Sequence, residues 1–269
     1  MKLRYLGTIL LFVIGISQPA VATATAGPEV VTQLTQTASL RQTGELTQST
    51  EIDYDFGSSA PHDITFSIPL SYHDDQGREY RMAFKLTEAK LDGKTIPLSP
   101  VTTTEVARFI LPSGPATALS TRHYSLAYSL LPVVLRGGDA DILKLSVTGL
   151  GWAVPINRSS VRLESSTAPA DSVTCFTGAQ GSTTGACSVD QQGKVANVVS
   201  YSALVPGESL SIFCDFPRGS FASYLKVYEN HPTTPAVIII SVISATIIIV
   251  VLLITGIRYF KRRRAARDL

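Results

Sequence analysis

The sequence predicts an all-β domain, an antiparallel β-sandwich built as one large sandwich or two in tandem, followed by a single transmembrane α-helix. Three observations carry this expectation. Between residues 27 and 230 no long amphipathic helical pattern appears. Short runs of alternating apolar and polar residues recur there instead, separated by turn residues. A charge-free apolar stretch at residues 236–257 is then followed at once by basic residues.

The start of the chain, Met1-Lys2-Leu3-Arg4-Tyr5, is basic. Residues 6–16 are apolar, and Ser17-Gln18-Pro19-Ala20-Val21-Ala22 follows. This is the order of a signal peptide: a charged start, an apolar core and a small-residue exit site. The core is shorter than the roughly 20 residues a permanent span needs. Cleavage is expected after Ala22, with Ala24 and Ala26 as other exit sites and an uncleaved anchor as the alternative.

In the sandwich region, Glu51-Ile52-Asp53-Tyr54-Asp55-Phe56 alternates strictly and stops at Gly57. Tyr80 to Leu86 alternates in the same way. Asp92-Gly93 marks a two-residue hairpin, because both turn positions favour positive φ. Further strands are expected at residues 106–111, 123–131, 142–148, 161–164, 195–201 and 210–216. Many short strands at such spacing suit a sandwich, with one large unit favoured over two.

Three cysteines fall in this region. Cys175 and Cys187 bracket a Gly/Ser/Thr-rich loop, and in an oxidising compartment a disulfide across it is the natural reading. Cys214 shares a strand face with Leu210, Ile212 and Phe216, which reads as a buried thiol acting as a small apolar residue. A bond from Cys214 to either other cysteine is the alternative.

Residues 236–257 number 22 without a charge. As a helix they cover about 33 Å, against a hydrocarbon core of about 30 Å. Their Ile and Val content would suit a strand in water, but lipid forces the backbone to satisfy itself as a helix. Arg258, Lys261, Arg262, Arg263 and Arg264 follow as a stop-transfer cluster, with Arg267 beyond, while the short stalk at 231–235 has no Lys or Arg. The expected topology is single-pass in the cytoplasmic membrane, N-terminus outside and basic tail at 258–269 inside. The tail could also bind anionic lipid. Ser241 and Ala245 form a small-xxx-small pair, weak support for a homodimer.

The net charge of +2 hides an uneven distribution. Residues 23–235 carry 15 Lys/Arg against 20 Asp/Glu, a mildly acidic body between basic ends. Such a body lacks the clustered cationic surface that phosphate binding needs, so nucleic acid is not an expected partner.

The stretch Asp141-Ile142-Leu143-Lys144-Leu145-Ser146-Val147-Thr148-Gly149-Leu150-Gly151-Trp152-Ala153-Val154-Pro155-Ile156 resembles the DUF2207 family of predicted membrane proteins. The resemblance continues through Val173-Thr174-Cys175-Phe176-Thr177-Gly178, Gly181-Ser182 and Cys187. It ends with Val205-Pro206-Gly207-Glu208-Ser209-Leu210 and Phe216-Pro217-Arg218-Gly219. Upstream, Ile52 to Gly57, His62, Ile68-Pro69 and His123 to Tyr128 are similar to the family's earlier blocks. Asp63 and Phe66 depart from it, standing where Gly and Arg are usual. Typical members continue with further membrane helices, whereas one apolar segment follows here. The resemblance implies export and anchoring and brings no established activity. Trp152 reads as a core aromatic and Pro206-Gly207 as a turn.

No catalytic constellation is found, and the chain is not expected to be an enzyme. His62, His73, His123 and His231 lack zinc-ligand spacing. His73-Asp74-Asp75 reads as a solvated turn sooner than a cation site. Asp139 and Asp141 lack an EF-hand context, and no Gly-x-Ser-x-Gly elbow occurs. Asn157-Arg158-Ser159 is a formal glycosylation sequon. No cofactor or metal is expected. The leading expectation is a binding or interaction module for a protein or envelope component. A structural subunit of a membrane complex is the alternative, and an envelope hydrolase ranks third.

Overall fold

The computed structural model describes residues 27–74, 76–114 and 120–228. The exit site at Ala22, the apolar run at 236–257 and the basic cluster from Arg258 to Arg264 lie outside the described residues. Among the described residues no helix is long and apolar enough to cross a membrane.

Within them the chain is all strand and turn. The first half contains β1 (Val30–Leu40), β2 (Leu46–Asp55), β3 (Ile64–Pro69), β4 (Ser71–His73), β5 (Glu79–Arg81), β6 (Ala83–Leu91), β7 (Lys94–Thr95), β8 (Val101–Thr102) and β9 (Val106–Leu111). The second contains β10 (Thr121–Leu131), β11 (Val134–Arg136), β12 (Ala140–Ser146), β13 (Ser159–Ser165), β14 (Ser172–Gly178), β15 (Cys187–Gln192), β16 (Val195–Ser200) and β17 (Ser209–Pro217).

One long sheet, in the order β15-β16-β13-β1-β2-β10-β6-β7, is covered by a four-stranded sheet, β11-β12-β17-β14, and a three-stranded one, β3-β9-β8. The reason is visible in β2, where every second residue from Leu46 to Tyr54 is buried and Thr47, Ser49, Glu51 and Asp53 face out. A strand with one apolar side must lay that side on another layer. The buried side chains form one continuous core drawn from all three sheets.

An aromatic column crosses this core. Trp152 lies 5.5 Å from Phe66, Phe66 5.9 Å from Phe109, Phe109 5.7 Å from Phe84, and Phe84 5.7 Å from Tyr128, centroid to centroid. Stacked, tilted and edge-on ring pairs at these spacings add to the stabilisation from the area they bury. Phe66, the departure from the family's usual Arg, is thus a core residue at 1% exposure. Gly149 makes room for it: at φ +71, an added Cβ would lie 2.5 Å from the Phe66 ring.

The structure departs from the sequence reading in three places. The sandwich is not wholly antiparallel, because β1 runs parallel to β13, from Leu34 opposite Ser159 to Leu40 opposite Ser165. That pairing joins the two halves of the chain in one sheet. Tyr80 to Leu86 is not one strand: β5 pairs with β4, while β6 pairs with β10 in the long sheet. β1 itself has no clean alternation. A bulge at Val31/Gln33 puts Val31 and Leu34 on the same side, and the next inward position is Gln36. Gln36 Nε2 donates to Gln48 Oε1 at 2.9 Å and lies within reach of Thr50 Oγ1 and Tyr128 Oη, a polar knot inside the apolar layer.

The Asp92-Gly93 hairpin forms as read, with φ 49 and 77 at its two positions. Cys214 is a buried free thiol on the side of β17 that carries Leu210, Ile212 and Phe216. Cys175 and Cys187 are bonded, with Cα atoms 6.2 Å apart. Since β14 belongs to the four-stranded sheet and β15 to the long one, the bond staples the layers where the chain crosses between them. Replacing both cysteines by serine is expected to lower the unfolding free energy by about 3 kcal/mol in the loop-entropy account. Denaturation of the full chain, followed through its single tryptophan, measures this; an unchanged midpoint contradicts it.

Candidate functional site

Alternation along β12 sends Asp141, Leu143 and Leu145 into the core and leaves Ile142, Lys144 and Ser146 on the outer face. On β17 the outer face carries Ser211, Phe213 and Asp215. Register places Lys144 opposite Phe213 and Ser146 opposite Ser211, with Phe176 of β14 next in that row. The outer face of the four-stranded sheet thus presents a cation, two aromatic rings and hydroxyls side by side.

A second element stands over this face. β4 and β5 form a hairpin in which Tyr72 pairs with Tyr80, their rings stacked 5.1 Å apart. Asp74 holds its turn, accepting from the Gln76 and Arg78 amides and the Arg78 guanidinium. Desolvation alone would raise the Asp74 carboxyl, but these hydrogen bonds outweigh it and hold the group at about 2. The His73-Asp74 segment is therefore a self-capped turn. The far side of the hairpin is tied to the end of the described chain: Tyr228 N donates to Glu79 O at 2.7 Å, and Arg81 stacks over the Tyr228 ring.

Between hairpin and sheet lies a groove of about 730 Å³, closed on its third side by the loop from Gly178 to Thr183. The disulfide pins that loop, and Ser182 Oγ donates back to Thr177 O at 2.8 Å. Lys144 Nζ sits 5.5 Å from the Tyr72 ring centroid and 5.2 Å from that of Phe213. An ammonium between two π faces is held by the ring quadrupoles. Among the described residues Lys144 has no ion-pair partner, and the buried Tyr72 Oη and Ser146 Oγ have no hydrogen-bond partner. Burial first, then Tyr80 and Asp74, pushes the Tyr72 phenol well above its ordinary range, so it stays a donor. Unsatisfied buried polar atoms are rare in folded proteins, and several beside one groove mark a place where a ligand or water completes the bonding.

The family-like blocks lie beneath this groove as scaffold. Trp152 Nε1 donates to Thr148 O at 2.7 Å, and Thr148 Oγ1 accepts from Leu210 N at 3.0 Å. Gly207 N donates to Trp152 O at 3.0 Å. Asp141 Oδ2 accepts from the Gly219 and Ser220 amides and from Tyr224 Oη, fixing the turn after β17. Asp141 therefore works as a turn anchor. Among the described residues no group of three or more His, Cys, Asp or Glu side chains is placed to hold a metal ion.

The sequence singled out Cys175 and Cys187, and the structure bonds them on either side of the loop that walls the groove, with neither lining it. It missed Tyr72, Lys144, Ser146 and Phe213. One signal was present: Phe213 is an aromatic on the polar side of its strand, between Ser211 and Asp215.

His123 takes part elsewhere, on the outer face of the long sheet. Its ring contacts Asp53 Oδ1 at 2.7 Å and Glu51 Oε2 at 3.0 Å. The hydrogen bond to Asp53 raises its pKa above the ordinary 6.5, against a lowering from partial burial, and both carboxylates add to the rise. A raised folded value contributes stability in full below the unfolded value and loses it as pH rises through the folded one. The stability difference between the native chain and His123→Asn is expected to shrink as pH climbs from about 6 upward. Denaturation midpoints across pH measure it; a difference that grows with pH contradicts the ion pair.

The family model for the predicted membrane protein (DUF2207) N-terminal domain matches residues 31–216. No curated protein matches the chain. Among solved structures, yeast LTA4 hydrolase in complex with bestatin is similar over 74% of this chain and 32% of its own, at 7% identity and TM-score 0.47. An M1 zinc metallopeptidase from Deinococcus radiodurans is similar over 71% of this chain and 44% of its own, at 11% identity and TM-score 0.37. The chain thus spans less than half the length of either structure, and likenesses this distant say nothing about chemistry. The family match takes in both walls of the core and the floor of the groove, and this chain belongs to the DUF2207 family of predicted membrane proteins.

Proposed function

We propose that the chain is a membrane-anchored, extracytoplasmic binding module whose ligand lies in the groove over β12 and β17. The observation that carries the reading is Lys144 held between Tyr72 and Phe213 beside two hydroxyls that lack partners. Several facts support the location. The family is one of predicted membrane proteins. Residues 1–22 read as a signal peptide, and residues 236–257 with the cluster from Arg258 to Arg264 read as a span with its stop-transfer signal. The Cys175–Cys187 bond suits an oxidising compartment. The hairpin wall is bonded at Tyr228, about eight residues before the apolar run, a link of at most ~28 Å when extended. The groove therefore lies near the membrane surface.

The reading is of a binder and not a catalyst. Burial, with Asp215 adding, pushes the Cys214 thiol up to about 12, which leaves it without nucleophilic character near neutrality. The groove offers contacts for recognition, and among the described residues no hydrogen bond joins one of its hydroxyls to His73, Lys144 or Glu105.

Photo-crosslinking in intact cells tests the proposal. A benzophenone side chain replaces Phe213 in the full chain, and in a second variant it replaces Ser125, which faces outward on the long sheet. A discrete crosslinked product from the first position and none from the second is the expected result. Equal products from both, or none from Phe213, would overturn it.

A further inference from the structure

The chemistry lining the groove narrows the ligand. Its walls are rich in hydroxyls, from Ser71, Tyr72, Ser146, Thr177, Ser209 and Ser211. Its apolar surface is aromatic: Phe176 and Phe213 meet edge to face at 5.1 Å, and Tyr72 is backed by Tyr80. Hydroxyls that both donate and accept, next to rigid ring surfaces, match a molecule that carries hydroxyls around its edge and C–H groups on its faces.

A peptide strand finds no partner on the groove floor. Strand addition needs an unpaired strand edge, and the floor here is a sheet face. β12 and β17 are hydrogen-bonded on both sides, so their main chains offer the groove nothing to pair with.

The charge in the groove is singular. Among the described residues Lys144 is the one Lys or Arg lining it, and Glu105 the one carboxylate. Lys144 is half-buried and has no ion-pair partner among the described residues. One unpaired ammonium favours a group of one negative charge, and Glu105 on the lining disfavours a more highly charged one.

At its inner end the groove continues into a recess of about 30 Å³ that shares Pro69, Met82, Lys144, Leu145 and Ser146 with it. Gln48, 4% exposed, lines this recess, and its amide nitrogen has no partner among the described residues. The Gln48 amide, Ser146 hydroxyl, Tyr72 phenol and Lys144 ammonium thus form a run of unused donors leading inward. The recess has room for one water or one ligand oxygen.

We propose that the groove binds a carboxylate-bearing sugar unit of an oligosaccharide, with the carboxylate on Lys144 and the Tyr72 hydroxyl and the ring face against Phe213. This rests on the reading of the chain as an extracytoplasmic binding module and names that module's ligand class. The carboxylate accepts from Nζ and Oη, Ser146 and Ser211 exchange hydrogen bonds with ring hydroxyls, and a ligand oxygen fills the recess at Gln48.

The test is an array of oligosaccharides containing uronate, muramate or sialate, printed beside neutral and phosphorylated counterparts and probed with the full chain in detergent micelles. Retention on carboxylated members, with neutral counterparts at least about tenfold weaker, is expected, since the charge-assisted hydrogen bonds are lost with the carboxylate. Lys144→Gln should abolish that preference and Tyr72→Phe weaken it, while both keep the native fluorescence of Trp152 as evidence of folding. Retention on neutral or phosphorylated sugars alone, no retention at all, or an unchanged preference in Lys144→Gln overturns the proposal. If a crosslink from position 213 persists in cells while the carboxylated array stays blank, the binding module stands and the ligand class falls.

Discussion

The bond between Cys175 and Cys187 is the constraint on which the site depends. The chain passes from the four-stranded sheet to the long sheet through a Gly/Ser/Thr-rich loop that has little apolar surface of its own. Such a loop pays the ordering entropy without burial to offset it. The disulfide removes that freedom from the unfolded chain, and it sets the loop as the third wall of the groove. The same covalent link that closes the sandwich therefore shapes the surface on which recognition is proposed. Such a bond persists where thiols are not kept reduced, which suits the proposed extracytoplasmic location.

Above that staple, the fold separates two kinds of work. Packing is done by the aromatic column from Trp152 to Tyr128 and by the apolar faces of the three sheets. Positioning is done by hydrogen bonds between the turns: Thr148 with Leu210, Trp152 with Gly207, and Asp141 with the turn after β17. These contacts fix β12 and β17 side by side, and with them Lys144 and Phe213. The residues that resemble the family make up this scaffold and much of the groove floor, Lys144, Ser146 and Phe176 among them.

Much of the fold was legible because alternation is a direct record of which face is buried. β2, β9, β12, β16 and β17 read true for that reason, and Asp92-Gly93 read true because its backbone needs positive φ. β1 was hidden because a bulge shifts its period and Gln36 occupies an inward position, and a buried amide looks like a surface residue until its partners are known. The parallel pairing of β1 with β13 leaves no local mark, since it joins segments distant in sequence. The disulfide followed from the loop it closes. The groove did not follow, because it is assembled from a hairpin and a sheet face whose meeting is purely tertiary. Only Phe213, an aromatic on the polar side of a strand, hinted at it.

The central claim is that the groove faces the exterior and is occupied there. Lysine acylation with a membrane-impermeant reagent tests both parts at once, read by mass spectrometry on intact cells and on the purified chain. Lys85 and Lys94 are exposed and serve as internal standards. The account predicts that Lys85 and Lys94 react in intact cells, while Lys144 is protected there and becomes reactive after purification. Failure of Lys85 and Lys94 to react in cells would contradict the location, and equal reaction of Lys144 in both settings would contradict an occupied groove.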